Sequence, residues 1–495
     1  MSSVAAGLPV APVAAPLPAA TGLAASAETM NPRTRRLLQG AIVPTLLVMA
    51  WPNLIVMTAQ AATGLIETWW VSKLGTDALA GMALVFPGFM MMQMLSAGAI
   101  GGGISSAVAR ALGANRRADA DALVLHALLI NVVLGLLASA LFLVWGRPIY
   151  AAMGGEGGSL EAALAYSNVV FAGNVLIWVM NALASLIRGT GNMLVPAYSV
   201  CIAVALLIPL SPLLIFGWGP MPALGIAGGG YAVLLTSALT TAVLAWYLLA
   251  GRAVVRLRRA RLQWPMFADI LRVGGVGAIS TLQTSLTVAL TTALVGAYGG
   301  PNAVAGYGTG ARLEYLLIPL VFGFGAPLVA LVGTNIGAGQ RERALRIALT
   351  GGALAFAVTE TIGLVAAIWP HAWLGLFGSD PHMLEAGAAY LRVVGPTYGF
   401  FGLGLSLYFA SQGAGRLAWP LLGGLVRLVV AVGGGALVLS LTGSLSWAFG
   451  ALALALAAYG TIVAGAIAGG VWFRSGPAPL GPGHGPAAPR PRRAG

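Results

Sequence analysis

The sequence predicts an all-α membrane protein of twelve transmembrane helices, arranged as two parallel six-helix lobes related by pseudo-symmetry. Three observations predict it: long apolar runs, arginines confined to alternate loops, and an internal repeat. Of 495 residues, 58% are apolar and only 8% are charged, with a mean hydropathy of +0.89. Such a composition excludes a soluble chain. An outer-membrane barrel is excluded too, because barrel strands alternate apolar and polar residues, whereas these runs are unbroken.

A hydrocarbon core of ~30 Å needs about 20 apolar residues per helix. Twelve such stretches fall at 41–72, 80–110, 120–145, 162–188, 193–216, 224–250, 270–297, 303–335, 344–369, 385–411, 417–441 and 446–473. They divide the chain into a disordered cytoplasmic tail (1–40), an N-lobe (41–250), a basic cytoplasmic linker (251–268), a C-lobe (269–473) and a second disordered tail (474–495). The first tail is rich in Ala and Pro, and its prolines interrupt any signal-peptide core. The lone Cys201 has no partner for an intrachain disulfide.

Arginine placement orients the bundle. Arg33, Arg35 and Arg36 precede helix 1, Arg116 and Arg117 follow helix 2, and Arg188 ends helix 4. Arg252, Arg256, Arg258, Arg259 and Arg261 fill the linker, Arg341 and Arg343 follow helix 8, Arg416 follows helix 10, and Arg474 follows helix 12. All share one side of a twelve-helix arrangement, and the positive-inside rule makes that side cytoplasmic, in an inner membrane. The formal charge of +13 is therefore read as a partner for anionic lipid, with no nucleic-acid role.

The repeat runs at an offset of 224 to 225 residues. GTDALAG from Gly75 matches GPNAVAG from Gly300, and LGANRRADADAL from Leu112 matches IGAGQRERALRI from Ile336. MGGEGGSLEAALAY from Met153 matches FGSDPHMLEAGAAY from Phe377, and GTGNMLVP from Gly189 matches GAGRLAWP from Gly413. Six helices separate corresponding points, so the halves share one orientation and are related by an axis along the membrane normal. Substrate is then expected between them.

These same segments resemble the multidrug and toxic compound extrusion (MATE) family: VSKLGTDALAG, ARALGANRRADADA and RGTGNMLVP in the first half, and ARLEYLLIPLVFG, VGTNIGAGQRERA and FGSDPHMLEAGAAYLRV in the second. The resemblance spans residues 41 to about 473. It implies two lobes around a central cleft, alternating access, and export of amphipathic organic cations against inward H⁺ or Na⁺, with no other cofactor and no enzymatic activity. A monomer suffices for that cycle.

Three acids lie inside predicted helices away from their ends, and these are the cation-coupling candidates: Glu67 in helix 1, Glu314 in helix 8 and Glu360 in helix 9. A carboxylate in hydrocarbon costs several kcal/mol unless neutralised, paired or hydrated, so each is a proton or cation switch candidate. The alternative for each is a structural carboxyl; for Glu360 it is a tie to Arg312 or Arg427. One branch of the resembled family carries an acid late in helix 1, as Glu67 stands, but pairs it with an Asn and an Asp on helix 5 where this chain has Leu207 and Ser211. Ser211 can still contribute a hydroxyl. The other branch uses acids on helices 7 and 10, and helix 7 here has Gln283 and several threonines but no carboxylate.

Arg312 and Arg427 are costly in lipid, so buried ion pairs are the expectation for both. Arg312 lies two residues from Glu314 and does not face it on a helix. Asn53, Gln60 and Gln93 are candidate cleft residues, with interhelical hydrogen bonding as the plainer role. Met90, Met91, Met92 and Met94 offer adaptable apolar surface. Two other functions stay open: a lipid-linked oligosaccharide flippase, which needs a cleft rich in Arg or Lys such as Arg312, Arg392 and Arg427, and a membrane-embedded transferase, for which no acid, base or metal-ligand spacing is present. No Walker motif and no metal-binding spacing occurs.

Overall fold

The computed structural model describes residues 31–218 and 222–473. The tail segments 1–30 and 474–495, with Arg474, lie outside the described residues. Twelve spans follow in order: α1 (Ile42–Ser72), α2 (Thr76–Gly113), α3 (Arg117–Ala152), α4 (Gly157–Ala172 and Asn174–Gly189), α5 (Leu194–Phe216) and α6 (Ile226–Leu249) in the first half. The second half holds α7 (264–299), α8 (301–337), α9 (Arg341–Ile368), α10 (Pro381–Ala414), α11 (Ala418–Thr442) and α12 (Leu445–Ala468).

Backbone chemistry places the breaks. Trp264–Gly337 is helical throughout except at Gly300, whose φ of 69° and ψ of −170° turn α7 into α8 just before Pro301. Its repeat mate Gly75, at φ 109°, makes the same turn between α1 and α2. Between α2 and α3 a positive φ falls on Asn115, and its mate between α8 and α9 is Gly339; both residue types tolerate the left-handed region. The limbs of α4 meet at an angle of 49°.

Within the N-lobe, α2 packs on the first limb of α4, α3 on the second, and α5 lies between α1 and α6. The C-lobe wraps α8, α9 and α12 around α10. Two boundaries shift from expectation. Residues 32–39, expected to be disordered, form a short helix with Pro32 at its first turn, capped by Asn31, with Leu37 and Leu38 buried and Leu37 in a cluster with C-lobe residues. Pro at a first helical turn sacrifices no hydrogen bond, so it starts this helix rather than breaking it. For the same reason α7 begins at Trp264, followed by Pro265, inside the segment expected to be linker.

Candidate functional site

Glu67 lies late in α1, 7% exposed. Ser211 of α5, between the helix-interrupting Pro209 and Pro212, donates its hydroxyl to Glu67 Oε2 at 2.8 Å. Gly229 of α6 leaves room beside the carboxylate: a Cβ built there would stand 3.7 Å from Glu67 Oε2 and 3.8 Å from a ring carbon of Tyr166, on α4. Four helices of one lobe thus close around one acid. Glu67 Oε1 is buried without a hydrogen-bond partner, and no ion pair among the described residues includes Glu67. No cluster of three or more metal-ligating side chains occurs among the described residues, so a cation here would meet one carboxylate and neutral oxygens.

Glu314 is held differently. Its Oε1 accepts from Arg427 Nη2 of α11 at 2.9 Å, and its Oε2 accepts from the Tyr390 hydroxyl of α10 at 3.1 Å. The two charged side chains are only 11% and 15% exposed. Arg427 also lies over the Phe401 ring at 5.1 Å, and Tyr398 OH is 3.5 Å from Tyr390 OH. Both oxygens of Glu314 are therefore occupied. The buried ion pair expected of Arg312 is not made: Arg312 is exposed, with its guanidinium 5.4 Å from the centre of the Phe377 ring. Two residues along a helix from Glu314, it points away from that network, and the ring offers it a cation–π contact instead. Nor does Glu360 tie to either arginine. Its Oε2 accepts the backbone N–H of Gly399 at 2.7 Å, just past the 3₁₀ turn Gly395–Thr397 that interrupts α10.

The polar candidates separate likewise. Asn53 bonds back to Met49 O of its own helix at 3.4 Å. Gln60 is exposed. Gln283 faces α11, where a Cβ on Gly424 would stand 2.6 Å from its Oε1. Gln93 accepts from Asn181 Nδ2 of α4 at 2.9 Å, and the same nitrogen reaches Ser96 Oγ at 2.6 Å. Ser96 belongs to a π turn, Met94–Ile100, that interrupts α2; such turns recur at functional sites. Phe86, Met90 and Met94, four residues apart on α2, are exposed in one stripe, while Met92 is buried.

Sequence reasoning missed Tyr166, Tyr390 and Asn181. The two tyrosines carried a signal, since they end one matched repeat block in both halves, 224 residues apart.

The lobes close on each other at the arginine-rich side. Ser106 of α2 reaches the carbonyl oxygens of Gln412 and Gly413 of α10, and Arg110 bonds Ser106, Gly413 and, at 2.7 Å, Asp269 of α7. Gln412 Nε2 donates to Gly98 O at 3.1 Å. Gly113 of α2 lies on Thr334 of α8, and Gly337 of α8 lies on Arg110 of α2. Those contacts are mates at an offset of 224, so a pseudo-twofold axis passes between them. Among the described residues, side-chain hydrogen bonds between the halves run from Gly98 toward the arginine-rich ends, and none joins the opposite ends.

Comparison with known proteins matches this architecture. The chain is similar to the family described as MatE over residues 52–213 and 278–437, one block in each half. It is 30% identical over 381 residues to a protein of Shewanella oneidensis named FAD transporter, covering 76% of this chain and 82% of that one. It is 25% identical over 380 residues to the probable multidrug resistance protein NorM of Thermotoga maritima, covering 76% and 81%. A crystal structure of MATE in complex with MaD3S superposes with a TM-score of 0.81 at 25% identity, over 90% of this chain and 99% of that one. An outward-facing conformation of a multidrug resistance MATE family transporter gives 0.82 at 24% identity, over 90% and 100%.

Proposed function

The chain belongs to the MatE family of membrane transporters, and from that premise we infer that it is a secondary active antiporter, exporting amphipathic organic cations in exchange for H⁺ or Na⁺ bound at Glu67. The observation that carries this reading is the open Oε1 of Glu67. Of the three intramembrane acids, Glu314 is paired with Arg427 and Glu360 is bonded to backbone, whereas Glu67 is the most buried and has no charged partner among the described residues. A buried, unpaired charge is costly, so a bound ion stabilises whichever lobe packing surrounds it. Linkage then requires ion and substrate to favour different conformations, or to compete for one charge.

The seal at the arginine-rich side, with the opposite ends unjoined, supports a state that releases substrate away from the arginines. In this reading the arginines face the cytoplasm of an inner membrane, and one chain completes the cycle. The stripe of Phe86, Met90 and Met94 on α2 supports accommodation of varied apolar bodies. A second reading rests on the relative named FAD transporter: a flavin dinucleotide is aromatic but anionic. The flippase loses support, since Arg427 is spent on Glu314 and Arg312 is exposed on Phe377.

The test is uptake into inverted vesicles, whose lumen corresponds to the outside of the cell, under an imposed pH gradient and, separately, a Na⁺ gradient, using a cationic dye and FAD in parallel. Glu67→Gln abolishes gradient-driven dye movement, whereas Glu360→Gln retains it. Ser211→Ala removes one hydrogen bond worth about 1 kcal/mol and changes apparent ion affinity about fivefold. Transport that survives Glu67→Gln undiminished would refute this coupling site. FAD movement without dye movement would replace the cationic substrate with an anionic one.

A further inference from the structure

Past α6 the chain turns at Gly251 and runs without helix to Gln263, forming the connection between the lobes. This strap is fixed to α3 rather than loose. Ala253, Val254 and Val255 are buried. Arg117 Nη2 donates to Val254 O at 3.1 Å, Asp121 Oδ1 accepts the backbone N–H of Arg256 at 2.8 Å, and His126 Nε2 accepts that of Gln263 at 3.0 Å.

With its backbone pinned, the strap holds two cavities. One, of about 380 Å³, is lined by Arg117, Ala118, Asp121, Arg256 and Arg258. The other, of about 420 Å³, shares Arg256 and Arg258 and adds Leu248, Leu249, Ala250, Gly251 and Leu257. Three arginines face one carboxylate in the first. Asp121 is already committed to the Arg256 backbone and, at 3.8 Å, to Arg258, so the space carries a net positive charge. The second is bordered by Leu249 at the end of α6 and Leu257 of the strap, both exposed. Nearby, Arg252 lies over the exposed Trp246 ring at 4.6 Å, a pairing suited to the membrane–water boundary.

We propose that these adjoining cavities, which share Arg256 and Arg258, bind the phosphate of an anionic phospholipid, with Arg117, Arg256 and Arg258 on the headgroup and the exposed Leu249 and Leu257 along the start of its acyl chains. Guanidinium groups pair with phosphate oxygens through several donors, and basic pockets at helix ends on the arginine-rich side suit anionic headgroups. The exposed leucines Leu249 and Leu257 beside the arginines favour a lipid over free phosphate. The site is independent of the transported substrate, and it anchors the covalent joint of the two lobes to the bilayer.

The experiment uses the full chain in phosphatidylcholine nanodiscs doped with phosphatidylglycerol, with retained lipid counted by native mass spectrometry and affinity read by titration. Arg256→Gln/Arg258→Gln is expected to weaken phosphatidylglycerol binding about thirtyfold. Arg259→Gln/Arg261→Gln removes the same charge from the strap without touching either cavity, and is expected to weaken it less than about threefold. Equal losses in the two double variants would overturn the site in favour of diffuse surface attraction. Displacement of phosphatidylglycerol by millimolar inorganic phosphate from the unsubstituted protein would overturn the lipid assignment and make soluble phosphate the ligand.

Discussion

Substituting Gly113→Ala should open the arginine-rich side. A Cβ at Gly113 would meet the Thr334 carbonyl oxygen, with the carbonyl carbon at 2.8 Å and Cα at 2.9 Å; a Cβ at Gly337 would meet the Arg110 carbonyl oxygen, with both carbons at 2.9 Å. Ordinary carbon contacts begin near ~3.5 Å, so α2 and α8 must part by about half an ångström or more. Backbone cannot rotate aside as a side chain does, and overpacking of this kind costs about 1–3 kcal/mol. That cost falls only on the conformation in which the two helices touch. The equilibrium between closed and open seals therefore shifts about 5- to 150-fold toward open.

Spin labels at Arg116→Cys and Glu342→Cys, both on exposed side chains, report the seal width in a Cys201→Ser background by double electron–electron resonance. Each alanine variant should gain a longer-distance population, and the two should resemble each other because the contacts are pseudo-twofold mates. Gly113→Ala/Gly337→Ala should open little further than either single variant, since parting the helices once relieves both clashes. Unchanged distances in folded protein, or fully additive shifts, would refute a seal set by backbone contact.

Asp269→Asn breaks the Arg110–Asp269 pair in the same seal, but that carboxylate is 46% exposed; its loss should be worth no more than about 1 kcal/mol and open the labels less than either alanine does. For the buried pair, Glu314→Gln or Arg427→Met alone should destabilise the protein by about 3–5 kcal/mol, and Glu314→Gln/Arg427→Met together should recover most of it, measured by thermal unfolding in detergent. The proposed exchange of one monovalent organic cation for one ion at Glu67 would move no net charge. A potassium diffusion potential set by valinomycin should then change the efflux rate far less than the coupling-ion gradient; efflux driven by potential alone would contradict a single coupling carboxylate.

The spans and their pairing into lobes were legible because hydrophobic length and repeat register are local properties of a chain. The turn glycines Gly75 and Gly300 matched before any coordinates did. The helix over Pro32–Gln39 falls inside the segment expected to be disordered because its eight residues are too short to register as a span. Partnerships were far less legible. Arg427 lies 113 residues from Glu314, Ser211 lies 144 from Glu67, and Gly399 lies 39 from Glu360, so no spacing rule connects them. For the same reason the expected buried ion pair of Arg312 and the tie of Glu360 to Arg312 or Arg427 do not form. Asn181 is one of three asparagines in the expected fourth helix, with Asn168 and Asn174, and its bond to Ser96 falls on a π turn that hydropathy does not register.

The backbone symmetry is not carried into the charges, and that difference bears on coupling. Tyr166 and Tyr390 are mates, each beside an acid of its own lobe, yet those acids stand on different helices: Glu67 on α1, Glu314 on α8. At the repeat offset, Glu67 corresponds to Thr292, and Ser211 to Gly435. One lobe therefore keeps an unpaired carboxylate while the other keeps a neutralised pair held by Tyr390. Two open carboxylates at equivalent positions would bind ions equally in both halves, double the ions carried per cycle and make a one-cation exchange move net charge. A symmetric scaffold lets the lobes tilt about their shared axis through contacts such as Gly113 on Thr334 and Gly337 on Arg110. In the proposed coupling, the asymmetric acid places the ion's influence on the packing of α1, α4, α5 and α6 of one lobe, so occupancy of that lobe biases the motion of both.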